Sequence, residues 1–170
     1  RRPHALGEAG KVRGAEHGGL LYDGAAHGDA EHIGLELAEH VHRAGPTVDA
    51  VDHGEPGERR WYVRLKGEEK STSTIWFTLG QRTLHYETYV MPAPEENHAA
   101  FYEHLLRRNL KLFGVAFAIG AEDAVFLVGQ LPNAALDHDE LDRILGSMYV
   151  YVEQFFRPAL RIGFASRFGS

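Results

Sequence analysis

Along residues 58–168 the apolar positions change period several times, and each change marks an element. Trp61, Val63 and Leu65 alternate with Tyr62, Arg64 and Lys66, and residues 67–70 are polar enough to turn the chain. Ser73, Ile75, Phe77 and Leu79 then alternate with Thr72, Thr74, Trp76 and Thr78. After Gly80-Gln81-Arg82, Leu84, Tyr86, Thr88 and Val90 alternate with His85, Glu87 and Tyr89. A period of two in β-branched and aromatic runs joined by short polar loops predicts a three-stranded meander. Each strand has one apolar and one mixed face, so a single face packs.

The period next lengthens. Phe101, Tyr102, Leu105, Leu106 and Leu110 form a helical stripe, with Arg107, Arg108 and Lys111 at its negative end and Gly114 beyond it. Pro92 and Pro94 close the preceding strand, and Pro94, Glu95 and Glu96 are expected to open the helix. Val115, Phe117 and Ile119 read as a strand, 120–123 as a turn and 125–131 as the return strand, ended by Pro132. Asp137 followed by Glu140 is a capping-box pattern. It opens a helix with Leu141, Ile144, Leu145, Met148, Val152, Phe155 and Phe156 on one side, expected to stop before Pro158. Leu160, Ile162, Phe164 and Phe168 are expected to pack back.

The N-terminal third differs. Ala30, Ile33, Leu37, Val41 and Ala44 make a stripe after Asp29, and Gly45-Pro46 ends it, predicting a helix over 29–44. Residues 52–59 read as a turn-rich linker. Of the 18 aromatic residues only Tyr22 precedes residue 58, while 7 of the 11 histidines and 11 of the 19 glycines do. Residues 1–57 are therefore expected to be poorly ordered apart from that one helix. Residues 58–170 form the folded domain. The order α-βββ-α-ββ-α predicts an α+β fold with a largely antiparallel sheet.

Charge and composition narrow the function. Residues 1–57 carry 10 acids against 5 bases, and residues 58–170 carry 14 against 13. A near-neutral folded block lacks the clustered cations that neutralise phosphates, so nucleic acid is not the expected partner. The chain has no cysteine, which removes disulfides, thiolate metal sites and cysteine nucleophiles. No stretch approaches the roughly 18–20 apolar residues of a membrane span, and no apolar segment follows Arg1-Arg2. A cytoplasmic protein without membrane contact is expected.

Candidate chemistry is thin. His32, Glu36 and His40 share a helix face near His42, but their spacing is not that of a hydrolytic zinc helix, and a solvated face explains them. Glu95, Glu96, His98, Glu103 and His104 crowd one helix, where the dipole accounts for the carboxylates. Ser71, Ser73 and Ser166 lack elbow glycines, and no phosphate loop occurs. No catalytic residue, metal or cofactor is therefore assigned. Trp76 and Tyr89, large aromatics on mixed strand faces, and Arg107 and Arg108, forked donors suited to carboxylates, are the expected contacts for a protein partner. The aromatic content exceeds what one sheet face and two helices hide, so self-association as a dimer through sheet edge or terminal helix is expected.

The run from Pro92 to Phe117, with its Glu-Asn-His and Leu-Leu-Arg-Arg-Asn segments, resembles the central signature of the YbjN family. The resemblance continues through Leu127-Val128-Gly129-Gln130-Leu131-Pro132 and Gly163-Phe164-Ala165-Ser166, covers about residues 60–168, and is nearest to actinobacterial members. It implies a fold like that of type III secretion chaperones, often dimeric. It also implies a non-enzymatic module that binds or regulates other proteins in bacterial stress or sensory signalling. The alternatives from the residues alone are a small metal-dependent enzyme using the N-terminal histidines and a purely structural dimerisation domain.

Overall fold

The computed structural model describes residues 48–169. The helix expected over 29–44, the poor order expected around it, and the group His32, Glu36, His40 and His42 lie outside these residues. Strands β1 (Val48–His53), β2 (Arg60–Lys66), β3 (Thr72–Leu79) and β4 (Thr83–Met91) lead into helix α1 (His98–Asn109). A hairpin of β5 (Ala116–Ile119) and β6 (Val125–Pro132) follows, then the long helix α2 (His138–Gly163) and the short α3 (Ala165–Phe168). All strand pairs are antiparallel, in the order β1-β2-β3-β4-β6-β5. The α+β architecture read from the sequence is the one observed.

The alternation in β2, β3 and β4 decides the layering. Trp61, Val63 and Leu65, then Ile75, Phe77 and Leu79, then Leu84, Tyr86 and Val90 are all buried, with half-buried or exposed residues between most of them. Against them lies the stripe of α2, where Leu141, Ile144, Leu145, Met148, Val152, Phe155, Ala159 and Gly163 recur at three and four. Phe101 and Leu105 of α1 join the same core. Burying each such large apolar side chain contributes roughly 1.5–3 kcal/mol, so this layer supplies the main folding force. Thr88, the deepest polar group, donates from Oγ1 to the Thr74 carbonyl at 2.8 Å, so its burial leaves no unpaired donor.

Four expectations are corrected. The sheet has a sixth strand, β1, beginning before the boundary at residue 58 and overlapping the linker placed at 52–59. It escaped the alternation because a register shift between Val48 and Ala50 breaks the period, so Val48 and Val51 reach the core three residues apart. Helix α2 does not stop before Pro158 but runs to Gly163. Pro158 and Gln154, the residue whose carbonyl it leaves unbonded, are both exposed, and the apolar stripe continues through Ala159 and Gly163. Helix α1 begins at His98 rather than Pro94: Asn97 turns the chain at φ 53° after the N–H groups of Glu95 and Glu96 have donated to the Gly163 carbonyl. Finally, Leu106 and Leu110 of the α1 stripe are exposed, while the tail packs back as expected through Phe164, Leu160 and Ile162 and leaves Phe168 exposed.

The rings of Phe117 and Phe155 meet edge to face at 5.9 Å, closing the core between β5 and α2. Replacing either by Ala should cost about 3–5 kcal/mol in chemical denaturation. A double-mutant cycle should return a coupling of about 0.5–1.5 kcal/mol. Losses under 1 kcal/mol at both positions would contradict the packing.

Candidate functional site

Because both helices cover one face of the sheet, the other face carries its own chemistry. Tyr62, Trp76, Glu87 and Val128 are cross-strand neighbours in one row of that face. Tyr62 and Trp76 pack with ring centres 5.0 Å apart, and the Arg60 guanidinium lies 4.1 Å above Trp76 while bonding Glu87 at 3.3 Å. Arg64 lies 5.5 Å from the Tyr62 ring. Across the sheet Tyr89 stands edge-on to Phe126 at 5.7 Å, with the Lys70 ammonium 5.7 Å from its ring. Desolvation raises the Tyr89 phenol, with Glu122 adding to it, so the hydroxyl stays a neutral donor. Burial lowers the Lys70 ammonium, and Glu153 opposes that shift. The result is an aromatic surface with cations stacked on its rings, a surface suited to contact rather than to proton transfer.

A second surface lies at the α1–β5 edge. Leu106 is 65%, Leu110 88% and Ile119 57% exposed. Between α1 (Tyr102, Leu105, Leu106) and the β5–β6 hairpin (Phe117, Ile119, Val125) runs an open apolar groove of about 270 Å³. Exposed large apolar side chains gathered at one edge are what partner surfaces display.

The four residues chosen from sequence do not form one group. Trp76, half-buried, and Tyr89, exposed, share the open sheet face, the one that no described element covers. Arg107 and Arg108 lie on α1, in the helical layer on the opposite side. Arg107 holds Glu103 at 2.6 and 2.8 Å one turn away, and Arg108 stacks over the Phe155 ring at 5.4 Å. The residues weighed for acid–base work are likewise dispersed. Glu103 is taken by Arg107, Ser73 is buried in β3, and Ser166 bonds Glu96 rather than a histidine. Among the described residues no group of three or more His, Asp and Glu side chains could hold a metal. No helix among them is long and apolar enough to cross a membrane.

Residues 36–161 match the family model YbjN, described as "Putative bacterial sensory transduction regulator". The chain belongs to the YbjN family. It is 35% identical over 131 residues to the uncharacterized protein ML2442 of Mycobacterium leprae, covering 76% of this chain and 71% of that one. To the uncharacterized protein Mb0497 of Mycobacterium bovis it is 38% identical over 104 residues, covering 61% of this chain and 57% of the relative. Solved structures with a similar fold include the HopA1–SchA chaperone–effector complex (TM-score 0.53, 9% identity, covering 76% of this chain and 96% of that one). Another is the heterodimeric ExoU–SpcU complex from the type III secretion system of Pseudomonas aeruginosa (TM-score 0.50, 16% identity, covering 75% and 96%). At such identities the likeness concerns the fold, which is that of type III secretion chaperones.

The segments that carry the YbjN resemblance meet in space. Glu96 accepts from the Ser166 N–H at 2.6 Å and from its hydroxyl at 3.1 Å, Glu95 pairs with Arg167 at 3.0 Å, and Asn97 donates to the Ile162 carbonyl at 2.9 Å. The Glu95-Glu96-Asn97 run thus clasps the end of the chain instead of decorating a helix dipole. Gly163 has to be small, since a Cβ there would stand 2.7 Å from the Phe101 ring and 2.9 Å from Pro94. A second tie joins α2 to the β2–β3 turn. The Glu153 carboxylate accepts three successive backbone N–H groups, from Glu68 (2.7 Å), Glu69 (2.9 Å) and Lys70 (3.2 Å), while Arg157 pairs with Glu69. Neither tie has a sequence signal, because the hydrogen-bonded partners are 65 to 85 positions apart.

Replacing Glu153 by Ala should destabilise the fold by about 1–3 kcal/mol and speed amide exchange at residues 68–70. Unchanged exchange there would contradict the tie. His104 provides a pH test. Its Nε2 is buried without a hydrogen-bond partner, and desolvation together with Arg108 holds its folded value below the ordinary 6.5. The unfolded chain therefore binds the proton more readily, so stability is full above pH 6.5 and falls as pH drops toward the folded value. His104→Gln should flatten the stability profile in that window, and an unchanged slope would exclude His104 as its source.

Proposed function

We propose that this YbjN protein is a non-enzymatic protein-binding module, chaperone-like or regulatory, that works in the cytoplasm as a homodimer. The observation that carries the reading is the exposure of Leu106 and Ile119 at the α1–β5 groove, with exposed Leu110 one turn along α1 from Leu106. The edge is self-complementary: Leu106 and Leu110 form a ridge beside the groove between α1 and the β5–β6 hairpin. A two-fold axis sets the ridge of one copy into the groove of the other. Arg107, one turn from both Glu103 and Leu110, supplies a polar rim. Burying one apolar edge in this way leaves the open sheet face free. Trp76 and Tyr89, with the stacked Arg60 and Arg64, then serve as anchors for a different protein. Arg108, stacked on Phe155, supports the α1 side. The HopA1–SchA complex, of similar fold, holds a chaperone with its effector, which supports a protein rather than a small molecule as the ligand.

Sedimentation at micromolar concentration should give twice the 19.0 kDa chain mass. Leu110→Glu should weaken association by about 30-fold or more, the effect of losing a hot spot of about 2 kcal/mol, with the melting curve unchanged. A 19.0 kDa species at every concentration, or a Leu110→Glu protein that associates as tightly as the parent, would refute the dimer. Capture of partner proteins from the native cell should be lost on replacing Trp76 and Tyr89 together by Ala. Capture that persists would move the heterologous interface off the sheet.

A further inference from the structure

Strand β5 is the last strand of the sheet among the described residues, so no described strand lies beside its outer backbone edge, which borders the α1–β5 groove. In an antiparallel strand the N–H and C=O of one residue point to the same side, and neighbouring residues alternate. At Phe117 that side is already occupied. The Asn109 side chain, from the last turn of α1, accepts from the Phe117 N–H at 2.8 Å and donates to the Phe117 carbonyl at 3.3 Å. One side-chain amide thereby supplies both bonds that an incoming strand would make at the middle of a four-residue edge. An exposed edge beside an apolar groove is otherwise a template for strand addition, open-ended association and aggregation.

We infer that Asn109 is an edge guard. It closes β5 to strand addition, so that the α1–β5 face accepts a second copy through side-chain packing and the assembly stops at two. This rests on the reading of that face as the self-association surface, and it selects the kind of contact the surface permits. An apolar helical ridge fits, while an extended strand does not. It also gives the final residue of the Leu-Leu-Arg-Arg-Asn run a role that neither helix propensity nor charge explains.

The full-length protein carrying Asn109→Ala or the near-isosteric Asn109→Leu tests the assignment by amide exchange and sedimentation. Exchange at Phe117 should rise at least tenfold, while Ala118, whose backbone faces β6, keeps its protection. Concentration-dependent species larger than those of the parent should appear. Asn109→Asp should not form them, since its carboxylate still accepts the Phe117 N–H and its charge opposes an incoming strand; a purely structural role would make it as damaging as Ala. Should Ala prevent folding, the Leu variant preserves the side chain's bulk and gives the same readouts. Unchanged Phe117 exchange would overturn the bonding, and a freed Phe117 with the parent's mass distribution would overturn the guard. A monomeric parent would refute the dimer reading alone, because larger Asn109→Ala species remain the required result.

Discussion

Everything in this molecule depends on one-sided packing. The apolar stripe of α2, aided by Phe101 and Leu105 of α1, covers one face of a six-stranded antiparallel sheet, and no described element covers the other. A sheet buried on one side must alternate, and that alternation puts Trp61, Phe77 and Tyr86 in the core while turning Tyr62, Trp76 and Tyr89 outward. The same constraint places α1 at the end of the helical layer, over the short strand β5, where there is not enough sheet to hide all of its apolar side chains. Both candidate surfaces are therefore consequences of the layering.

The two surfaces differ in kind. The α1–β5 edge is apolar and grooved, with the Phe117 backbone bonded by Asn109. The open sheet face is aromatic and flat, its rings capped by arginine and lysine. Apolar relief suits an obligate, self-complementary contact, whereas rigid amphipathic rings with exchangeable polar caps suit a partner that comes and goes. Ties at the periphery hold the frame that separates them: Glu153 on the β2–β3 turn, and Glu95, Glu96 and Asn97 on the end of the chain.

Where a local pattern decided the structure, the sequence was readable. The meander, the hairpin and the α2 stripe follow from periodicity alone, and the Asp137 cap holds the Glu140 N–H at 2.9 Å as its spacing implied. Where a distant partner decided it, local signals misled. Glu95 and Glu96 carry the composition of a helix start, but the Gly163 carbonyl and Ser166 claim them. Pro158 has the form of a stop signal, yet it sits on the solvent side of a helix whose other side is still burying Ala159 and Gly163. Strand β1 hides behind a bulge. Of the candidate contacts, the outward placement of Trp76 and Tyr89 was legible from alternation. The exposure of Leu106 and Leu110 was not, because a stripe shows which residues share a face and not how far the neighbouring sheet extends beneath it.

The proposed function divides self-association and partner binding between opposite sides of one sheet. Amide exchange of the full-length protein measured across a concentration series tests that division directly. On concentration, protection should rise in α1, the segment after it and β5, while β2, β3 and β4 exchange as before. Protection gained instead across the strands of the open face, or nowhere, would contradict the account.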